Sequence, residues 1–218
     1  MPSFRRPESS YLPIVSGGDQ TVFIDKNNDE VVMKRHRDDA FEADFEKTPD
    51  YVKATHYLNK IIAALFPKNV PDTRESGVRY DKETGKPVVE SVHDRKFLQP
   101  ASPEKLKYFK SQLSGGEPRV AALQEEFDHL GLDYDEKPLN WELEEKDKDT
   151  IIYVDTFKPV EYLGGRLLKR YQTGPILRSI EKLSDEQQKE NCKNWLKRLE
   201  KLVSSLDKNI KDHPELLK

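Results

Sequence analysis

The stretch from Asn140 to Phe157 constrains this chain most. Two strand-like segments, NWELEE and TIIYVDTF, flank the polar run KDKD at 146–149. A short charged turn between such segments predicts an antiparallel hairpin. Residues equidistant from the turn of a hairpin face each other. The midpoint of 146–149 is 147.5, and Asn140 and Asp155 share it. Asp135 lies in the polar loop DYDEKPLN, 133–140, which enters the hairpin at that same end. Two carboxylates and an amide oxygen are therefore expected at one mouth. Hard oxygen donors suit Mg²⁺, which takes one or two protein ligands and keeps waters or phosphate oxygens. A further acid beside them can accept a proton from a substrate hydroxyl.

The rest of the chain reads as an α+β frame around that hairpin. YLPIV, TVFID and VVMKRH are strand segments, the last two joined by an Asn/Asp-rich turn. Residues 37–47 place Phe41 and Phe45 four apart, as on a helix. Thr48-Pro49 is a helix start, and Pro67 stops that helix. Residues 70–98 are expected to be extended, with a Glu-Thr-Gly turn. Ser102-Pro103 opens a second helix ended by Gly115-Gly116, and Val120, Leu123, Phe127 and Leu130 mark a third ended by Gly131. Beyond the hairpin everything is expected to be helical, with a capping box at Ser184 and Gln187 and an apolar stripe of Trp195, Leu199, Leu202, Val203 and Leu206. The composition divides near residue 100, strands around one helix before it and mostly helices after.

Charge narrows the function classes. Thirty-seven basic and 40 acidic residues leave a formal charge of −3, so no nucleic-acid partner is expected. The single cysteine, Cys192, excludes an intrachain disulfide or a thiolate zinc cluster and reads as a structural thiol. MPSFRRPESS has no apolar core of a signal peptide and no run reaches membrane-spanning length, which gives a cytoplasmic expectation with no membrane partner. The five histidines have no ligand spacing.

Four short motifs follow one another along the chain. Val15-Ser16-Gly17-Gly18 precedes Thr21-Val22-Phe23; Val31-Val32-Met33-Lys34 ends a strand; Asp135-Glu136-Lys137-Pro138-Leu139-Asn140 enters the hairpin; Tyr153-Val154-Asp155-Thr156-Phe157 leaves it. In this order they resemble the phosphate loop, strand lysine, D-x-K-P-x-N catalytic loop and D-F-G strand end of protein-kinase-like phosphotransferases, a superfamily that includes the aminoglycoside phosphotransferases. The resemblance spans about residues 11–160. It implies a two-lobed kinase-like fold, with a small β-rich N-lobe over 1–100, a hinge at 98–102, and a reduced helical C-lobe over 101–218 carrying the catalytic-loop hairpin.

By the same resemblance the function is ATP- and Mg²⁺-dependent phosphoryl transfer to a hydroxyl of a small molecule or a protein. Asp135 orients or deprotonates the acceptor, Lys137 steadies the γ-phosphate, and Asn140 and Asp155 hold Mg²⁺. Lys34, with Gly17 and Gly18, holds the nucleotide phosphates. A catalytically inactive pseudokinase that binds nucleotide or a partner, a nucleotidyl transferase using the same metal site, and an unrelated helical interaction protein are the alternatives.

The chain departs from that family in identifiable places. Asp133-Tyr134 stands where the family has a histidine-arginine pair, so support for the loop has to come from elsewhere. No acid lies between Asp50 and Phe66 to pair with Lys34, which leaves Glu42 or Glu46. Taken singly, each residue also has an ordinary structural explanation: Lys34 as a solvated strand end, Asp135 and Lys137 as turn residues, Asp155 as a turn cap, Trp141 as a packing residue.

Overall fold

The computed structural model of the chain describes residues 11–16, 20–25, 28–36, 41, 43–94, 103–113, 116–144 and 150–218. Gly17 and Gly18, the expected hinge at 98–102 and the KDKD turn lie outside the described residues. The architecture is α+β, as expected.

Strands β1 (Tyr11–Ser16), β2 (Gln20–Asp25) and β3 (Asn28–His36) are followed by a 3-10 turn at Asp44–Lys47, then by helix α1 (Pro49–Leu65) and strands β4 (Thr73–Tyr80) and β5 (Pro87–Asp94). The strands form one antiparallel sheet in the order β1-β2-β3-β5-β4. The β4–β5 turn forms because Asp81 accepts from the backbone N–H groups of Thr84 (2.8 Å) and Glu83 (3.0 Å), while Gly85 takes φ +68°. Those bonds, Thr84's foremost, hold the Asp81 carboxyl below its ordinary range. At the start of α1, Thr48 Oγ1 accepts from the Tyr51 N–H at 3.4 Å.

Helices α2 (Pro103–Leu113) and α3 (Pro118–His129) lead into a hairpin of β6 (Trp141–Glu144) and β7 (Thr150–Tyr153). A second hairpin, β8 (Val160–Leu163) and β9 (Arg166–Lys169), precedes helices α4 (Thr173–Glu181) and α5 (Glu186–Asp212).

Three expectations are corrected. The region after the first hairpin is not all helical, because Gly164 and Gly165, at φ +60° and +82°, make a two-residue turn that returns RLLK onto VEYL. The cap of α5 is Asp185 rather than Ser184, since Asp185 Oδ1 accepts from the Gln188 N–H at 2.9 Å. For 37–47, read as helical from the spacing of Phe41 and Phe45, the described residues 41 and 43–47 hold only a 3-10 turn at Asp44–Lys47.

The chain forms two compact units. Unit 1 is Met1–Tyr57, Thr73–Arg95 and Arg198–Lys218; unit 2 is Leu58–Asp72 and Lys96–Lys197. A linear division at residue 100 puts Leu58–Asp72 and Arg198–Lys218 the other way. Within unit 1 both faces of the sheet carry polar groups beside buried Val31, Met33 and Val89. On one, Lys34 pairs across the ladder with Ser91, and Thr73 with His93. On the other, the buried Glu90 carboxylate receives Arg35 Nε at 2.7 Å and Arg79 Nε at 3.0 Å.

Unit 2 centres on Phe127 of α3, whose ring meets those of Phe66, Tyr134, Trp141, Tyr153 and Phe157 at centroid distances of 5.0–6.3 Å. Such offset and edge-on contacts add to the area buried by each ring. Helix α5 buries residues at spacings of three and four, its seam giving Cys192 and Leu196 to unit 2 and Leu199, Val203, Leu206 and Ile210 to unit 1. Burial pushes the Cys192 thiol up to about 11, as expected of a structural cysteine.

Candidate functional site

Every strand residue on β6 and β7 is placed by its partner. Trp141 pairs with Tyr153 and Glu144 with Thr150, so the hairpin is centred on residue 147, half a residue from the expected centre. Residues 145–149 separate the last pair, one more residue than the four-residue turn KDKD. Asn140 consequently faces Val154, whose N–H donates to the Asn140 carbonyl at 2.9 Å. The side chain nevertheless reaches one residue further: Asn140 Nδ2 donates to Asp155 Oδ2 at 3.2 Å. The same Nδ2 lies 3.3 Å from the Asp135 carbonyl. Asp135, Asn140 and Asp155, named from sequence, are thus brought together in unit 2.

Each acid also has a local partner. Asp135 Oδ1 accepts from the Lys137 N–H at 3.0 Å, and its Oδ2 lies 2.9 Å from Lys137 Nζ. Burial raises the Asp135 carboxyl, but the Lys137 ammonium and amide, helped by Asn140, outweigh it and leave it below the usual carboxylate range. Lys137 is exposed and engaged with Asp135. Asp155 Oδ1 accepts from the Thr156 N–H at 2.8 Å. The turn-residue explanations for Asp135 and Asp155 therefore describe real bonds, and both acids have further acceptor capacity beyond them.

The loop and the strand end are held by residues the sequence reading passed over. The Tyr153 hydroxyl accepts from the Asp135 N–H at 3.0 Å. Asn59, buried on α1, clamps the residue two beyond Asp155: its Oδ1 accepts from the Phe157 N–H at 3.1 Å and its Nδ2 donates to the Phe157 carbonyl at 3.0 Å. Asn69 takes the free edge of β7, accepting from the Tyr153 N–H and donating to the Ile151 carbonyl, both at 2.8 Å. An asparagine between Leu58 and Ile61 in an apolar helix was the one available signal, since a buried amide has to find partners. Asp133 donates its N–H to the Arg170 carbonyl at 3.3 Å, and the Arg170 guanidinium lies between Asp133 and Glu161. Trp141 is fully buried, as a packing residue should be.

Lys34 belongs to unit 1. It is 7% exposed, which removes its reading as a solvated strand end. Glu46, on the 3-10 turn, is also buried and accepts from the Tyr51 hydroxyl at 3.3 Å. Among the described residues, no three His, Cys, Asp or Glu side chains stand together in a metal-holding group. The donors present at the hairpin mouth are a carboxylate and an amide, which suits a hard cation sharing its sphere with water and phosphate and does not suit zinc. No helix among the described residues is long and apolar enough to cross a membrane. Comparison of the chain with protein-family models and with curated proteins finds no match.

Proposed function

We propose that the chain is a kinase-like phosphotransferase that moves the γ-phosphoryl group of ATP to a hydroxyl acceptor, with Mg²⁺. What supports this reading is the meeting of Asp135, Asn140 and Asp155 at one end of the β6–β7 hairpin. It agrees with an element order of hairpin, lysine strand, helix, two strands, two helices, loop, and a hairpin followed by an acid. The two-lobed arrangement of the family is part of the proposal.

In this reading Asn140 turns its amide oxygen toward the metal, and Asp155 supplies a carboxylate oxygen. Mg²⁺, when bound, neutralises charge on the β- and γ-phosphates. The Asp135 carboxylate, ionised because Lys137 lies against it, accepts a hydrogen bond from the acceptor hydroxyl and orients its oxygen toward the γ-phosphorus. That hydroxyl oxygen bonds to phosphorus, the bond to the β,γ-bridging oxygen breaks, and ADP leaves. A carboxyl held below its usual range is a weaker base, so Asp135 orients the hydroxyl before the transition state and takes its proton late. Lys34 is assigned to the nucleotide phosphates; its burial requires a charge partner, and Glu46 is the buried acid proposed for it.

Thermal unfolding with ATP and Mg²⁺, separately and together, tests this. A ligand at a hundred times its Kd adds about 2.7 kcal/mol, which raises Tm by roughly 5–10 °C in a chain of this size. Asp155→Asn should abolish the Mg²⁺-dependent part. Asp135→Asn should keep the shift and lower ATP turnover by about 10²-fold or more. A folded chain that shows no shift with ATP and Mg²⁺ together defeats the proposal. A shift without turnover leaves the inactive, nucleotide-binding alternative.

A further inference from the structure

We infer that Tyr153 is the positioning residue of this site, doing for the Asp135 loop what the absent histidine-arginine pair cannot. Its ring is completely buried against Phe127 (5.7 Å), Trp141 (5.0 Å) and Phe157 (5.0 Å), and close packing on these rings restricts its rotation. Its backbone is pinned by the bond from its N–H to Asn69. From that fixed base the hydroxyl accepts the Asp135 N–H at 3.0 Å. Asp155 stands two residues beyond Tyr153, the last residue of that strand. One side chain therefore ties the amide of the loop acid to the end of the strand that leads into the other acid, and sets their separation. Asp133-Tyr134 cooperates from the other side: Asp133 is bonded to Arg170, while the Tyr134 ring stands edge-on to Phe127, Trp141 and Tyr153.

Burial, and then the nearby Asp155 charge, push the Tyr153 phenol well above its ordinary range, so the hydroxyl stays protonated at any physiological pH. Its lone pairs serve the Asp135 N–H and its proton remains available as a donor. Tyr153 touches no reacting atom in this scheme. It acts through Asp135, and the catalytic side of the inference rests on the phosphotransferase reading.

Tyr153→Phe keeps the ring and deletes the bond. Tyr134→Phe is the control, because it removes a hydroxyl of the same cluster that is bonded to Asp128 and not to the loop. The first measurement is amide hydrogen exchange at Asp135 by NMR, which needs no substrate. Tyr153→Phe should speed that exchange about three- to tenfold, the value of one such hydrogen bond, and Tyr134→Phe should leave it unchanged. Unchanged exchange in Tyr153→Phe, or equal acceleration in both variants, overturns the inference whether or not the chain turns over ATP. The second measurement is kinetic. Tyr153→Phe should lower kcat about three- to tenfold with KM for ATP within about twofold; an unchanged kcat, or a rise in KM alone, overturns the positioning role. A wild-type chain with no turnover defeats the phosphotransferase reading, and the exchange result still decides whether Tyr153 holds the loop.

Discussion

Unit 2 gathers five rings around Phe127 and keeps its acids at the margin of that cluster. Unit 1 takes a lysine, a histidine and two glutamates in among its buried apolar residues. His93, 5% exposed, bonds Thr73 Oγ1 at 3.2 Å through Nδ1 and Ser91 Oγ at 2.8 Å through Nε2. Glu90 is shared by two arginines on the opposite face. The difference is one of what resists unfolding. Unit 2 depends on volume and ring contact, which are indifferent to pH and salt. Unit 1 adds to its apolar packing a set of satisfied polar groups, whose cost returns in full when one partner is lost.

The sharpest way to break this contrast is to remove volume from unit 2. Phe127→Ala should cost about 3–5 kcal/mol, measured by urea unfolding with tryptophan fluorescence. Both tryptophans, Trp141 and Trp195, lie in unit 2, so that signal follows unit 2, and far-UV circular dichroism follows the whole chain. Coincident transitions mean the units unfold together. A loss below about 1 kcal/mol would show that the cluster is not the anchor of unit 2.

Next in size is Glu90→Gln. It keeps the shape and removes the charge between Arg35 and Arg79, and should cost about 2 kcal/mol, within the range for hydrogen bonds to charged groups. The guanidiniums are 29% exposed on their side chains, so solvent recovers part of the loss. If Glu90→Gln proved neutral, the polar interior of unit 1 would be tolerated rather than required.

Smallest near neutral pH, and matching the Glu90 effect only near pH 5, is the pH dependence carried by His93. Burial first, then the positive charge of Lys34 and the neighbouring His36 and His56, hold the His93 ring well below 6.5. Lys34 and His36 face it from β3 and His56 from α1; Glu90 and Asp94 occupy the other face of its own strand. Folding keeps the ring neutral, so its contribution is complete above the unfolded-state value. It falls as pH drops below about 6.5, at about 1.4 kcal/mol per pH unit, until the folded ring titrates. His93→Gln should flatten that slope between pH 6.5 and 5. An equal slope in both proteins would assign the acid sensitivity elsewhere.

Much of the site could be read from residues alone, because hairpin symmetry is geometric. The half-residue error in the centre came from taking KDKD as the whole turn, and it moved the backbone partner of Asn140 from Asp155 to Val154 without separating their side chains. The β8–β9 hairpin was equally legible in Leu163-Gly164-Gly165-Arg166, a glycine pair between strand formers, and was passed over beside the long helical run that follows. The burial of Lys34 was not legible. A lysine after Val-Val-Met is most often solvated, and only the folded sheet shows otherwise. Nor was Tyr153 as a hydrogen-bond acceptor, since in sequence it is one more apolar-looking residue of a strand.

Cys192 gives these comparisons a built-in clock. The chain's one thiol sits with no exposed surface in the seam of α5, with its ionisation driven up to about 11. A thiol reagent reacts with thiolate and needs a path to it, so labelling proceeds only through opening of that seam. Its rate therefore reads the free energy of that opening at a single atom, under native conditions and without denaturant.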